Sequence, residues 1–112
     1  MLSDAERDAL EDIRDNIARA MRFIEGFDLD AFLADDKTFY ATTRCLEIIS
    51  EASRRLPPSF KTRFPEIPWK QVAGAGSIYR HSYENVQERR IWATTHDALP
   101  PLRAVVDAEL HE

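Results

Sequence analysis

The sequence is poor in several things that specialised folds need. A single cysteine, Cys45, leaves no partner for an internal disulfide and no thiolate set for a zinc site. Three glycines in 112 residues, two of them in Gly74-Ala75-Gly76 with no strand pattern before them, argue against a dinucleotide or phosphate-loop fingerprint. No apolar run approaches the ~20 residues that span a bilayer. The start, Met1-Leu2-Ser3-Asp4, has neither the basic end nor the apolar stretch of a secretory leader. No segment alternates convincingly as a strand, and there is no internal repeat or low-complexity run. What is present is 44% hydrophobic and 31% charged, too apolar for a disordered tail and too charged for a membrane protein. A chain of this length supports one core. The expectation is therefore a single domain over 1–112, cytoplasmic, without membrane association.

The helical signals are local. Ser3-Asp4-Ala5-Glu6 is a capping box, and Leu10, Ile13, Ile17, Met21 and Ile24 follow at spacings of three and four, the apolar stripe of one helix. Gly26 is placed to end it. Residues 28–34 read as a short helical turn or a loop. A second long helix is predicted from about Asp35 to Leu56, with Phe39, Leu46, Ile49, Ala52 and Leu56 on one face, stopped by Pro57-Pro58. A short helix or turn fits 59–63. Pro68 suits the first turn of a helix running to about Tyr83. A last helix starts near Asn85-Val86-Gln87-Glu88 and carries Trp92, Thr95, Leu99, Leu102, Val106 and Leu110, with a kink or break at Pro100-Pro101. These segments predict an all-α fold, an antiparallel bundle of four to five helices.

Charge is unevenly spread. The net charge is −5, yet residues 51–90 hold eight bases and four acids and are +4, leaving the rest at −9. Either these are ordinary solvated helix faces, or the middle of the chain forms a local anion site on a protein kept soluble by acid elsewhere. Candidate phosphate-binding residues in that stretch are Arg54, Arg55 and Lys70.

Residues able to do chemistry are few. His96 and His111 stand apart without clustered partners and read as surface residues. Glu47 and Glu51, one turn apart, lack a histidine at matching spacing, and Asp28, Asp30, Asp35 and Asp36 lack the glycine and closing glutamate of a calcium loop. No metal and no cofactor is expected. Cys45, Trp69 and Trp92 read as core. Ser77-Ile78-Tyr79-Arg80-His81-Ser82-Tyr83 is different: two tyrosines, an arginine and a histidine fall within five residues. Imidazole exchanges protons near neutral pH, and guanidinium holds phosphate charge, so Arg80 and His81 suit metal-free phosphodiester cleavage. The plainer alternative is a capping histidine beside a solvent-facing arginine.

Several stretches together resemble the HepT-like ribonucleases, the toxin half of HepT/MntA toxin–antitoxin systems within the HEPN superfamily. Ile49-Ser50-Glu51-Ala52 is similar to that family's helix around a Glu-Ala pair. Pro65-Glu66-Ile67-Pro68-Trp69 matches its Pro-x-Ile-Pro-Trp segment. His81-Ser82-Tyr83 matches the His-x-Tyr end of its R-x4–6-H-x-Y motif. Ile91-Trp92 with Leu99-Pro100-Pro101-Leu102 looks like its C-terminal helix. The resemblance implies a HEPN-like homodimer with His-x-Tyr segments of both subunits at a shared cleft. It implies metal-independent RNA cleavage by an arginine–histidine pair, here with His81. It also implies a cognate nucleotidyltransferase, an MntA-like antitoxin, that attaches AMP to the motif tyrosine, here Tyr83.

One departure stands out. With four residues intervening before the histidine, the motif arginine belongs at position 76; the chain has Gly76 there, and Arg80 stands directly before His81. In a helical register, positions 76 and 80 differ in direction by ~40° and in height by ~6 Å, within reach of a long side chain. Arg80 is thus the candidate replacement. The alternative is a catalytically inactive helical subunit that binds a nucleotidyltransferase.

Overall fold

A computed structural model of the chain describes residues 1–75 and 86–111. Among these residues there are seven helices and no strand. The all-α expectation holds, and the higher helix count has local causes. α1 spans Asp4–Phe23, α2 Leu29–Leu33, α3 Asp36–Arg55, α4 Pro58–Lys61, α5 Trp69–Gly74, α6 Val86–Asp97 and α7 Leu99–Leu110. Two of the additions, α2 and α4, are single-turn pieces. The third comes from division of the last helix.

The capping box at the start of α1 is formed. The Ser3 hydroxyl accepts the Glu6 amide at 3.0 Å, and the Glu6 carboxylate accepts the Ser3 amide at 2.8 Å. Those bonds to Ser3 hold the Glu6 carboxyl below the usual glutamate range. Asp28 and Asp35 cap α2 and α3 in the same way, accepting the amides of Ala31 and Thr38. Gly26 takes a left-handed φ of 81° in the turn after α1, the conformation that a side chain would strain.

Packing outweighs capping. Leu10, Ile13 and Ile17 are fully buried, and each such side chain contributes ~1.5–3 kcal/mol relative to exposure, against ~1 kcal/mol for a cap. This stripe lies along α3, where Leu46, Ile49 and Ala52 are equally buried. Arg55 meets Asp12, while Cys45, ten residues earlier, sits in the field of Arg19 and Arg22. α3 therefore runs antiparallel to α1. α7 covers another side of α1, and α2 bridges α3 and α6 through Phe32, whose ring lies 6.2 Å from Phe39 and 5.1 Å from Trp92. Replacing Ser3 with alanine is expected to cost about 1 kcal/mol. Because Glu6 titrates low in the folded chain, its contribution is present above the unfolded glutamate pKa and disappears as pH falls through the folded value. Thermal melts of E6A and the parent should converge at acid pH and differ near neutrality, whereas S3A should melt below the parent at every pH, because the hydroxyl it removes does not titrate.

The expected disruption at Pro100-Pro101 falls at Ala98. Two missing amides leave the carbonyls of His96 and Asp97 without their helical donors, and the next bond, Leu102 amide to Ala98 carbonyl, is long at 3.4 Å. The buried stripe nonetheless continues across the joint through Thr95, Leu99, Leu102 and Val106. Pro68 sits at the N-cap of α5, one residue before its first turn. That helix is described to Gly74, with Ala75 at its C-cap. Its expected continuation to Tyr83 and the cap at Asn85 lie outside the described residues. Among the described residues no helix is long and apolar enough to cross a membrane.

Candidate functional site

α5 is short but anchored at both ends. At its start the Trp69 indole donates to the carbonyls of Phe64 at 3.0 Å and Lys61 at 3.2 Å, and its ring packs edge-on to Phe60. At its end, orphan helix carbonyls find side-chain donors from α3. The buried Ser50 hydroxyl donates to the Val72 carbonyl at 2.9 Å, and the Arg54 guanidinium donates to the Ala73 carbonyl at 2.7 Å. The Arg54 cation also complements the negative end of the helix. Val72 itself is buried against the core.

Between α5 and α6 lies a cleft of about 260 Å³. Lys70, Gln71 and Gly74 face it from α5, and Arg90, Ile91 and Thr94 face it from α6. Ile91 is buried and forms an apolar floor. Among the described residues the lining holds two cations and no acid. Neither Lys70 nor Arg90 makes an ion pair among the described residues. The chain enters the 76–85 stretch from Ala75, on the wall of this cleft, and leaves it one residue before Gln87, also on the wall.

Of the sequence candidates, His81, Arg80 and Tyr83 lie outside the described residues. The three bases named for phosphate are placed apart. Arg54 is engaged with the end of α5. Arg55 is held by Asp12 at 2.6 Å and by Glu51 at 3.1 Å, and the bond to Asp12 leads in raising its pKa. Lys70 is exposed and lines the cleft. Arg90 belongs to the basic stretch of the sequence and carries no motif of its own there. Its signal was the helical spacing of Gln87, Arg90, Ile91 and Thr94, which share one face.

The remaining reactive groups have structural surroundings. The thiol of Cys45 is buried, and desolvation pushes its pKa up, the opposite of an activated nucleophile. His96 stacks on Trp92 at 4.1 Å, with Nδ1 2.8 Å from the Trp92 carbonyl oxygen. Trp92 and Trp69 are half-buried against the core. Glu47 faces Arg44, and Glu51 faces Arg55. Among the described residues no group of three His, Cys, Asp or Glu side chains is placed to hold a metal ion.

The profile of the ribonuclease HepT-like family matches residues 13–109, which takes in the second half of α1, the whole of α3 and α6, nearly all of α7, and the cleft. The chain belongs to the HepT-like ribonuclease family. It is 38% identical over 99 residues to a probable ribonuclease HepT of Thermococcus cleftensis, covering 88% of this chain and 90% of that one. It is 31% identical over 98 residues to a protein of Methanocaldococcus jannaschii that carries the name of an RNase, with coverage of 88% and 90%. A similarly named protein of Caldanaerobacter subterraneus is 33% identical over 100 residues, with 89% of each covered. No solved structure matches the chain at a significant level. Membership of this family supports ribonuclease activity.

Proposed function

We propose that the chain is a metal-independent endoribonuclease, the toxin of a toxin–antitoxin pair, working as a homodimer with the His81 segments of both subunits at a shared cleft. The observation that carries this reading is the basic cleft at Lys70 and Arg90, which no described acid neutralises, joined covalently at both walls to the stretch that bears Arg80, His81 and Tyr83. His81 takes the proton of a ribose 2′-hydroxyl. The 2′-oxygen attacks the adjacent phosphorus, the 5′-oxygen of the next nucleotide leaves and is protonated, and Arg80 stabilises the phosphorane charge. The products are a 2′,3′-cyclic phosphate and a 5′-hydroxyl end. The test is incubation of the purified chain with whole cellular RNA in excess EDTA. Cleavage that persists supports the reading, and cleavage that needs added divalent metal removes it.

Control falls to Tyr83. A cognate nucleotidyltransferase, an MntA-like antitoxin, would transfer AMP to its phenol. The added phosphate would compete for Arg80, and the purine would obstruct RNA. After co-expression with that transferase, intact-mass and peptide mass spectrometry should show one or more AMP units on Tyr83. AMP on another residue, or none beside an active transferase, counts against it.

A second reading rests on Gly76, which occupies the place of the motif arginine. In it the chain is an inactive helical subunit that holds the nucleotidyltransferase. Wild-type protein that forms that complex but leaves RNA intact under every condition supports this reading over the first.

A further inference from the structure

The cleft between α5 and α6 has its own chemistry. Its two cations come from different helices, and among the described residues that line it there is no acid, on a chain whose net charge is −5. An uncompensated pair of charges on a concave surface raises the local concentration of anions. The contrast with Arg55 is direct, because that guanidinium is already neutralised by two carboxylates. Exposed Gln71 adds amide donors and acceptors beside Lys70. Gly74 leaves the α5 wall without a side chain, and a Cβ built there would meet nothing within 4 Å. The floor at Ile91 is apolar and buried.

Size decides what fits. A volume of about 260 Å³ falls just under the ~300–1,000 Å³ range of small-molecule pockets. It suits one base or sugar unit of a larger polymer. A docked protein would need on the order of 800 Å² of surface per partner.

We infer that this cleft seats one nucleotide of a single-stranded RNA beside the scissile bond, with Lys70 and Arg90 each holding a flanking backbone phosphate and the nucleotide resting over Ile91 and Gly74. The inference rests on the ribonuclease reading for its ligand and adds residues that the proposed chemistry does not use. Lys70 and Arg90 are positioning residues. They bear on where the strand lies, and the proton transfer is left to His81.

The probe is a fluorescein-labelled 2′-O-methyl oligonucleotide of mixed sequence, which lacks the free 2′-hydroxyl and so cannot be cleaved. Its affinity is measured by anisotropy between 50 and 200 mM salt. Each single-strand phosphate contact contributes a slope of ~0.7 in log K against log[salt]. K70A/R90A should flatten the slope by ~1.4, so the wild type should lose about sevenfold more affinity than the variant across that range. The charge-preserving exchange K70R/R90K should keep the slope. G74F should weaken binding at least tenfold with every charge intact, whereas G74A should bind like the parent. Thermal melts of each variant confirm an unchanged fold.

Equal slopes for the wild type and K70A/R90A overturn the inference, as does displacement of the probe by polyglutamate at matched charge, which points to an acidic protein. EDTA-resistant cleavage of unmodified RNA is measured in parallel. A wild type that cleaves RNA while all variants bind alike removes the cleft inference and leaves the ribonuclease reading standing. A wild type that binds through Lys70 and Arg90 without cleaving does the reverse. A wild type that neither binds nor cleaves overturns both.

Discussion

Replacing His81 with alanine is expected to lower EDTA-resistant RNA cleavage by ~10²–10⁴, the range that a positioned general acid or base supplies. Of the chain's three histidines, His96 is spent on Trp92, with its ring stacked at 4.1 Å and Nδ1 near the carbonyl oxygen. His111 is exposed at the C-cap of α7, remote in sequence from the cleft. Cys45 is buried with its thiol pushed toward the neutral form. His81 alone falls within the stretch tied to the cleft walls. The stem of the fold does not depend on it, since α1, α3 and α7 pack through Leu10, Ile13, Ile49 and Leu102. Circular dichroism and the melting temperature should therefore match the parent while the cleavage rate collapses. Mass analysis of wild-type products should find 2′,3′-cyclic phosphate ends. Undiminished cleavage by H81A would exclude imidazole as the proton carrier.

Most of the scaffold was legible because its causes are short-range. Ser3 and Glu6 are three residues apart, and the box they form is the one seen. The α1 stripe repeats every three or four residues, and the proline pairs act on carbonyls one turn away. The site was harder to read because its causes are long-range. Arg55 looked like a phosphate ligand until Asp12, 43 residues earlier, was found beside it. Arg54 looked similar, and its partner is the Ala73 carbonyl across a proline-rich link. A stretch that sums to +4 says nothing about which charges are already neutralised. Only packing sorts Lys70 and Arg90 from the rest, and they are 20 residues apart with no shared motif. The clustering of residue types marks Arg80 and His81, and the family resemblance adds the role of Tyr83, which no periodicity singles out.

Arg80→Ala is expected to cost ~10²–10³ in cleavage rate, the loss typical of one donor to transition-state charge. Gly76 stands where the family motif has its arginine, and a guanidinium follows four residues later at Arg80. In a helical register, residues four apart lie on one face, ~40° apart and ~6 Å along the axis. An arginine side chain spans much of that height, so the same phosphate is within its reach. Arg80→Lys should restore little, because a lysine ammonium is a point charge and cannot make the paired, planar contact that guanidinium makes with two phosphate oxygens. The cleft cations set a control for this reading. Lys70 and Arg90 act on binding of the strand, so K70A/R90A should raise KM, and raising RNA concentration should recover much of its rate. Arg80 acts on charge that appears only in the transition state, so R80A should lower kcat with KM nearly unchanged. A loss in R80A that saturating RNA repairs would reassign Arg80 to strand binding. An R80A enzyme as fast as the parent would move the transition-state contact to another base and leave Gly76 unreplaced.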